Sequence, residues 1–374
     1  MSGNLRSYYF TRHFQQGVNQ TAFALGGNLH ADAVLAKTFS AGATYGLVTP
    51  LGTAYSDPAT VDATLPGTSL SVLEEAYLRY HGGSVAATIG RQKVSTPWAH
   101  PSDSRILPNT FQGLSASVKV SQWMTASALR MVRYKSRTSN TFEANDLLSN
   151  KPTAGFLAIG DVYNHAGTSA QAWFYDFYGT AGMTYVDATQ RFAPGRTWAP
   201  YVGLQYVSEI GDTRRLPANV RAQGYGINIG LKSERADISI ALNDVPFQSG
   251  AYKNGGIAAP YTYADTDPLF TTITGEGLTD KGAGHANRLL ATLWSSQNRA
   301  RLTAARAEYY LYGPSKFANN HVLTTNVDLT YFVGNGKRGE QFRGLSVRDR
   351  WIDTDTPGPP FTFIYNRAQL QYDF

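Results

Sequence analysis

The sequence predicts a transmembrane antiparallel β-barrel, all-β, with long loops at one end and short turns at the other. Three observations carry that expectation. Apolar and polar residues alternate with period two from end to end, aromatic residues gather at segment ends, and no apolar run could cross a membrane as a helix. Such a helix needs about 18 apolar residues or more. The most apolar stretches, Gly155 to Ile159 and Leu289 to Trp294, fall far short. In lipid the remaining way to satisfy every backbone group is a closed barrel, whose strands need only about 9–11 residues each.

Composition agrees. Charged residues make up 16 % of 374 residues, against roughly 25 % in an ordinary soluble chain, while aromatics reach 13 % with 23 Tyr. A soluble chain of this length would split into two or three domains; no composition shift, repeat or low-complexity tract divides this one, so residues 1–374 are expected to form one domain. Cysteine is absent, which removes disulfides and thiolate metal sites and suits an oxidising compartment. The net charge of +6 comes from 33 Lys+Arg against 27 Asp+Glu, spread singly. With no dense basic stripe, nucleic-acid binding is not expected. Met1 to Asn4 shows neither a basic nor an apolar leader region, so the expectation is a mature form with a cloned start.

The strands justify themselves in turn. Alternating segments include Ala76 to Tyr80, Val85 to Ile89, Leu114 to Val120, Tyr225 to Leu231, Ile238 to Leu242, Leu302 to Tyr312, Val327 to Phe332 and Leu345 to Trp351. In the last, Ile364 to Phe374, one face carries Ile364, Ala368, Leu370, Tyr372 and Phe374, and the other Tyr365, Arg367, Gln369, Gln371 and Asp373. A barrel turns the first face to lipid and the second to water. Its terminal Phe is how bacterial outer-membrane barrels end. Tyr8-Tyr9-Phe10, Trp173-Phe174-Tyr175 with Tyr178, and Tyr309 to Tyr312 read as aromatic girdles. Gly82-Gly83 and Asn335-Gly336 are hairpin signals, whereas residues 50–69, 139–156, 248–287 and 353–360 form long loops. At roughly 20 residues per strand and connection, the chain holds about 16 to 18 strands, enough for an aqueous channel.

Enzyme motifs are missing: no nucleophile elbow, no His-Glu-x-x-His, no phosphate loop, and seven scattered His without metal spacing. Gly334-Asn335-Gly336-Lys337-Arg338-Gly339 matches a dinucleotide fingerprint in form, but a strand rather than a helix follows it. No cofactor and no metal are expected.

Ile89-Gly90-Arg91-Gln92-Lys93, leading to Asp103-Ser104-Arg105-Ile106-Leu107-Pro108-Asn109-Thr110-Phe111-Gln112-Gly113, is the most informative stretch. With Leu5 to Phe10, Leu73 to Tyr77, Asp267 to Thr271 and Gly344 to Arg350, it resembles the OprD-type outer-membrane porins, over the whole chain. The resemblance implies 18 strands, inward-folded loops, a ladder of lumen arginines that guides anionic groups, and no catalysis. It implies small carboxylate-bearing solutes such as amino acids, aromatic acids or short peptides, a setting of outer-membrane lipid and lipopolysaccharide, and a monomer or loose trimer. The chain is shorter than the typical member, so the size of its constriction is its own.

The residues nominate the ladder independently. Arg348 and Arg350 share a face with Ser346, opposite Leu345, Val347 and Trp351, with Asp349 read as a strand-end mark. Arg367 lies on the polar face of the last strand. Arg306, Glu308 and Tyr310 share a face opposite Ala305, Ala307 and Tyr309. An arginine facing lipid at the midplane costs roughly 2–4 kcal/mol, so all are expected inside, lining the solute path or paired with acids such as Glu308 or Asp373. Asp103, Ser104 and Arg105, between Pro101 and Pro108, fit an inward loop that shapes the constriction or bolts it to the wall. Tyr261, Tyr263, Asp265 and Asp267 either oppose the ladder from the 248–287 loop or stand outside. A barrel lipase or protease, a structural or adhesive barrel, and a soluble sandwich are the competing readings.

Overall fold

Eighteen strands form one sheet that closes on itself. The structure is a computed structural model and describes all residues except 53–59, 62–67, 103, 212–215, 217, 264, 280, 314, 316–319, 335–341 and 357–361. The strands are β1 (Ser2–Phe14), β2 (Gln20–Ala36), β3 (Phe39–Pro50), β4 (Leu70–Gly82), β5 (Val85–Gln92) and β6 (Thr110–Lys119). Next come β7 (Met124–Lys135), β8 (Phe156–His165), β9 (Thr168–Phe177), β10 (Ala181–Arg191), β11 (Ala199–Gly211) and β12 (Val220–Lys232). β13 (Ala236–Val245), β14 (Gly284–Trp294), β15 (Ala300–Leu311), β16 (His321–Phe332), β17 (Leu345–Asp355) and β18 (Phe363–Asp373) complete the order. Each strand pairs antiparallel with its chain neighbours, and β1 pairs β18 from Asn4 opposite Asp373 to Phe14 opposite Phe363. Closure removes the free edges that an open sheet would expose.

Odd-to-even connections leave one end and include the long ones: 51–69, 93–109, 136–155 and 246–283. Even-to-odd connections leave the other, turn end, as at Gly82 to Val85, where Gly83 takes a positive φ of 59° that suits glycine. The hairpin expected at Asn335-Gly336 lies outside the described residues.

The outer wall is apolar where the alternation demands it. Ile229, Ile240 and Leu289 stand side by side across β12, β13 and β14, each more than half exposed to what surrounds the barrel. β17 continues to Asp355, so Asp349 does not mark its end. That carboxylate lies in mid-strand on the outer face, where Asn366 Nδ2 donates to it at 3.0 Å.

Inside, much of the lumen is packed rather than wet. Loop 246–283 turns inward: Ile257, Ala258, Ala259 and Tyr261 are buried. Asn243 Oδ1 accepts from Thr271 N at 2.9 Å, Gln205 donates to Pro268 O at 2.7 Å, and Asn326 donates to Thr274 O at 3.1 Å. Loop 93–109 meets it in the lumen, with Thr262 Oγ1 donating to Trp98 O at 2.6 Å. These inward loops explain five corrections: Tyr8 and Phe10, expected in a girdle, are buried in one apolar cluster with Ile106 and Leu107 of loop 93–109, and three more follow. Trp173 and Tyr175, expected in a girdle, point inward and pack with Trp98, Phe177 and Tyr185, while Phe174 faces out. Tyr309 also points inward, donating toward Thr271 O and Glu276 O at 3.2 and 3.1 Å. A lumen wall that touches a packed loop is apolar except where its polar groups bond that loop, as Asn243, Gln205 and Asn326 do, so the polar-in rule is relaxed there.

Candidate functional site

The site forms where loops 93–109 and 246–283 cross the lumen beside β1, β17 and β18. On β17 and β18 the alternation works as expected. Arg348 and Arg350 on one strand and Arg367 on the next all face inward, and their backbones are fixed by the ladder that pairs Arg350 with Arg367. β16 supplies a residue that sequence reasoning did not use. Asp328 lies directly opposite Arg350 and takes bonds from Arg350 Nε at 2.8 Å and from Arg348 Nε and Nη2 at 2.8 and 2.6 Å. One carboxylate thus holds two guanidinium groups, and neither Glu308 nor Asp373 does so.

Arg367 is almost fully buried, lies over the Tyr8 ring at 4.8 Å and donates to Ser104 O at 2.5 Å. Its Nε and Nη2 have no protein partner among the described residues. The loop comes to it: Arg6 Nη1 and Tyr8 OH approach Arg105 O at 3.3 and 3.4 Å. Arg137 reaches in from loop 136–155, bonds the Ser104 hydroxyl, pairs with Asp265 at 3.4 Å and covers the Tyr263 ring at 3.6 Å. Cation–ring contact of this kind holds a guanidinium in place without neutralising it. Burial, with Arg137 nearby, pushes Arg105 down to about 10, still cationic at neutral pH.

Around these side chains lies a cavity of about 200 Å³ lined by Arg12, Arg105, Arg137 and Arg350, with Tyr263, Tyr365 and, among the described residues, a single carboxylate, Asp265. It shares Asp265 and Thr274 with a second cavity, of about 350 Å³, whose charged lining is Arg301, Arg348, Asp265, Asp267 and Asp328. That one shares Arg301 with a vestibule of about 1180 Å³ at the turn end, lined also by Arg343, Glu234 and Asp373.

Several nominated residues are brought together here: Arg105, Ser104, Tyr263, Arg348, Arg350 and Arg367. Tyr261 sits deeper, packed among Phe111, Tyr134, Phe156 and Phe177. Asp267 serves the loop itself, accepting from Leu269 N at 3.0 Å and from the Thr272 and Thr279 hydroxyls. Asp103 lies outside the described residues. Arg306 and Tyr310 are corrected: both are on the outer face. Arg306 stands opposite Leu289, its side chain 57 % exposed and 3.7 Å from Glu308, and Tyr310 stacks between His285 and His321. Their face was read as the wet one because it is the polar one, yet Ala305, Ala307 and Tyr309 are what inward loop 246–283 packs against.

Arg12, Arg137, Arg301 and Asp328 went unnamed in the sequence. Asn326, Asp328 and Thr330 do alternate with Val327, Leu329 and Tyr331, so Asp328 was legible. Arg12 shares its parity with the aromatic Tyr8 and Phe10, which hid it; Arg137, in a loop, carries no periodic signal.

No protein-family model matches the chain, and no curated protein matches it in sequence. The fold, however, is known. A crystal structure of OccK9 (OpdG) from Pseudomonas aeruginosa superposes with a TM-score of 0.84 at 16 % identity, covering 100 % of this chain and 97 % of that one. The chain shares the barrel fold of this Occ structure. OccAB2 from Acinetobacter baumannii gives 0.82 at 18 % identity, again over 100 % and 97 %. OpdK from P. aeruginosa, in a crystal structure with vanillate, gives 0.78 at 14 % identity over the same shares. The 18-stranded barrel expected from composition, alternation and resemblance is thus the Occ-type architecture.

Proposed function

We propose that the chain is an outer-membrane porin through which small carboxylate-bearing solutes diffuse passively, guided by lumen arginines. The observation that carries this reading is the run of three adjoining cavities from the loop region to the turn end. The first two are lined by Arg12, Arg105, Arg137, Arg350, Arg348 and Arg301. Elsewhere the loop half of the lumen is filled by packed apolar side chains such as Trp98, Phe111, Tyr175 and Tyr261, which leaves solutes this side.

The chemistry suits a carboxylate. Arginine stays protonated and offers a planar two-pronged donor. Fixed positive charge in a narrow low-dielectric passage concentrates anions, and several weak sites in series let a solute move on. Among the described residues of the first cavity, four guanidinium groups outnumber one carboxylate. Asp265 sets one negative charge among them, so a solute bearing both charges would be turned as it passes. OpdK, which shares the fold, was crystallised with vanillate, itself a carboxylate. The outer wall of Ile, Leu and Tyr would sit in lipid, with its loop end toward lipopolysaccharide.

The test is single-channel recording of the folded chain in planar bilayers under a salt gradient, with benzoate as the probe. The reading expects stepwise conductance, a reversal potential on the anion side, and reversible blockade by benzoate. Bilayers that stay silent would remove the channel itself and return the adhesive or enzymatic barrel to consideration. Cation preference without blockade would remove the carboxylate part.

A further inference from the structure

A further cavity, of about 200 Å³, lies on the opposite wall of the lumen, between β5, β6, β7 and β9 and beneath loop 93–109. Its chemistry differs from that of the arginine side. Thr88, Thr96, Ser115 and Ser127 line it, with the Trp173 indole and Lys93, and among the described residues no carboxylate and no guanidinium does. The Lys93 ammonium is paired with Glu75 at 3.3 Å, and Thr88 Oγ1 accepts from the Arg79 guanidinium at 3.3 Å.

The hydroxyls are arranged to receive. Ser115 gives its proton to Gln92 Oε1 at 2.6 Å and Thr96 gives its proton to Ala99 O at 2.9 Å. That leaves Ser115 Oγ with lone pairs for an incoming O–H, while the buried Thr96 hydroxyl is also engaged by the Tyr175 phenol. The Trp173 N–H is likewise committed, to Gln171 Oε1 at 3.0 Å, and the buried indole, stacked on Tyr175, adds a small apolar area to the lining. Val94 and Leu129 close the pocket toward the loop end, where they join the apolar cluster of Trp98, Phe111 and Tyr175. Ala86 and Ser117, near the turn-end limits of β5 and β6, border the other side. The volume equals about six or seven waters in bulk, room for one monosaccharide and too little for a disaccharide.

We propose that this pocket is a binding site for a neutral polyhydroxylated solute of monosaccharide size, entered from the turn end and separate from the arginine passage. It rests on the reading of the lumen as a solute path but not on the choice of carboxylates. Acceptor oxygens beside one aromatic face match the alternating O–H and C–H surfaces of a sugar, as in sites that combine an apolar lining with a few placed polar groups.

The experiment is a titration of the detergent-folded full chain with glucose, followed by tryptophan fluorescence, with sucrose as the size control. Wild type should show a saturable change with glucose and none with sucrose. Trp173→Phe should lose the signal, and Ser115→Leu/Ser127→Leu, which fills the pocket, should lose the binding. Both variants should keep benzoate blockade in bilayers, which shows them folded. A flat titration of wild type, a signal that persists in both variants, or one lost in Arg350→Ala would overturn the pocket. Failure of blockade in wild type, with the glucose signal intact, would instead sink only the carboxylate reading.

Discussion

Arg350 and Arg367 stand directly opposite each other across the β17–β18 ladder, two cations in register on the lumen face. Like charges so placed repel, and the structure answers on both sides. Arg350 is bonded at 2.8 Å to Asp328 on β16, and Arg367 is drawn to the Ser104 carbonyl and the Tyr8 ring. Among the described residues, the carboxylate bonded to this row is Asp328. A fully neutralised wall would be more stable and would select nothing.

Asp328 offsets part of the positive charge of this row. Asp328→Asn removes the negative charge shared by Arg348 and Arg350 and one of the two oxygens that accept from them. The reversal potential should move further to the anion side and benzoate should bind more tightly. Stability should fall by about 1–3 kcal/mol, toward the lower figure where water reaches the pair. Bilayer recording and urea unfolding in detergent read the two effects; a shift toward cations would mean that Asp328 positions the arginines more than it neutralises them.

Loop 246–283 is held by polar bolts from the wall. Asn243 bonds Gln205, Thr271 N and the Thr271 hydroxyl at once. Asn243→Ala should free this loop, raising mean conductance and adding open-channel noise. Unchanged traces would show that its apolar packing suffices.

His100 ties loop 93–109 to loop 246–283. Its Nδ1 accepts from Ser102 N at 3.2 Å, which leaves Nε2 to donate to Thr266 O at 2.8 Å. Burial depresses its pKa below the ordinary 6.5, because a charged ring is poorly solvated there. The folded state thus prefers the neutral ring. The contribution is complete above 6.5 and is lost as pH falls toward the lower folded value. Acidification from about pH 7 to pH 5 should raise channel noise in wild type, and His100→Gln should remove that pH response.

How much of this was legible follows from what each side chain touches. Ile364, Leu370 and Tyr372 read correctly because lipid lies on one side and polar lumen on the other. Arg348, Arg350 and Arg367 read correctly for the same reason. Arg306 and Trp173 did not, since loops 93–109 and 246–283 make part of the lumen apolar and local alternation cannot know what a distant loop will cover. A hint was present in Ile257-Ala258-Ala259-Pro260-Tyr261, too apolar for a solvated loop. Arg137 is placed only by long-range contact with Ser104 and Asp265.

Arg306 provides a control. It faces outward beside Glu308, so Arg306→Ala should leave ion selectivity and benzoate blockade as they are. A change equal to that of a lumen arginine would place Arg306 on the solute path.

The central claim is tested most directly by the benzoate blockade constant of Arg350→Ala/Arg367→Ala, measured in planar bilayers beside wild type. The account predicts blockade weaker by about tenfold or more, equivalent to at least about 1.4 kcal/mol, with the reversal potential drawn toward zero. A double variant that folds, conducts, and keeps wild-type blockade and anion preference would contradict it.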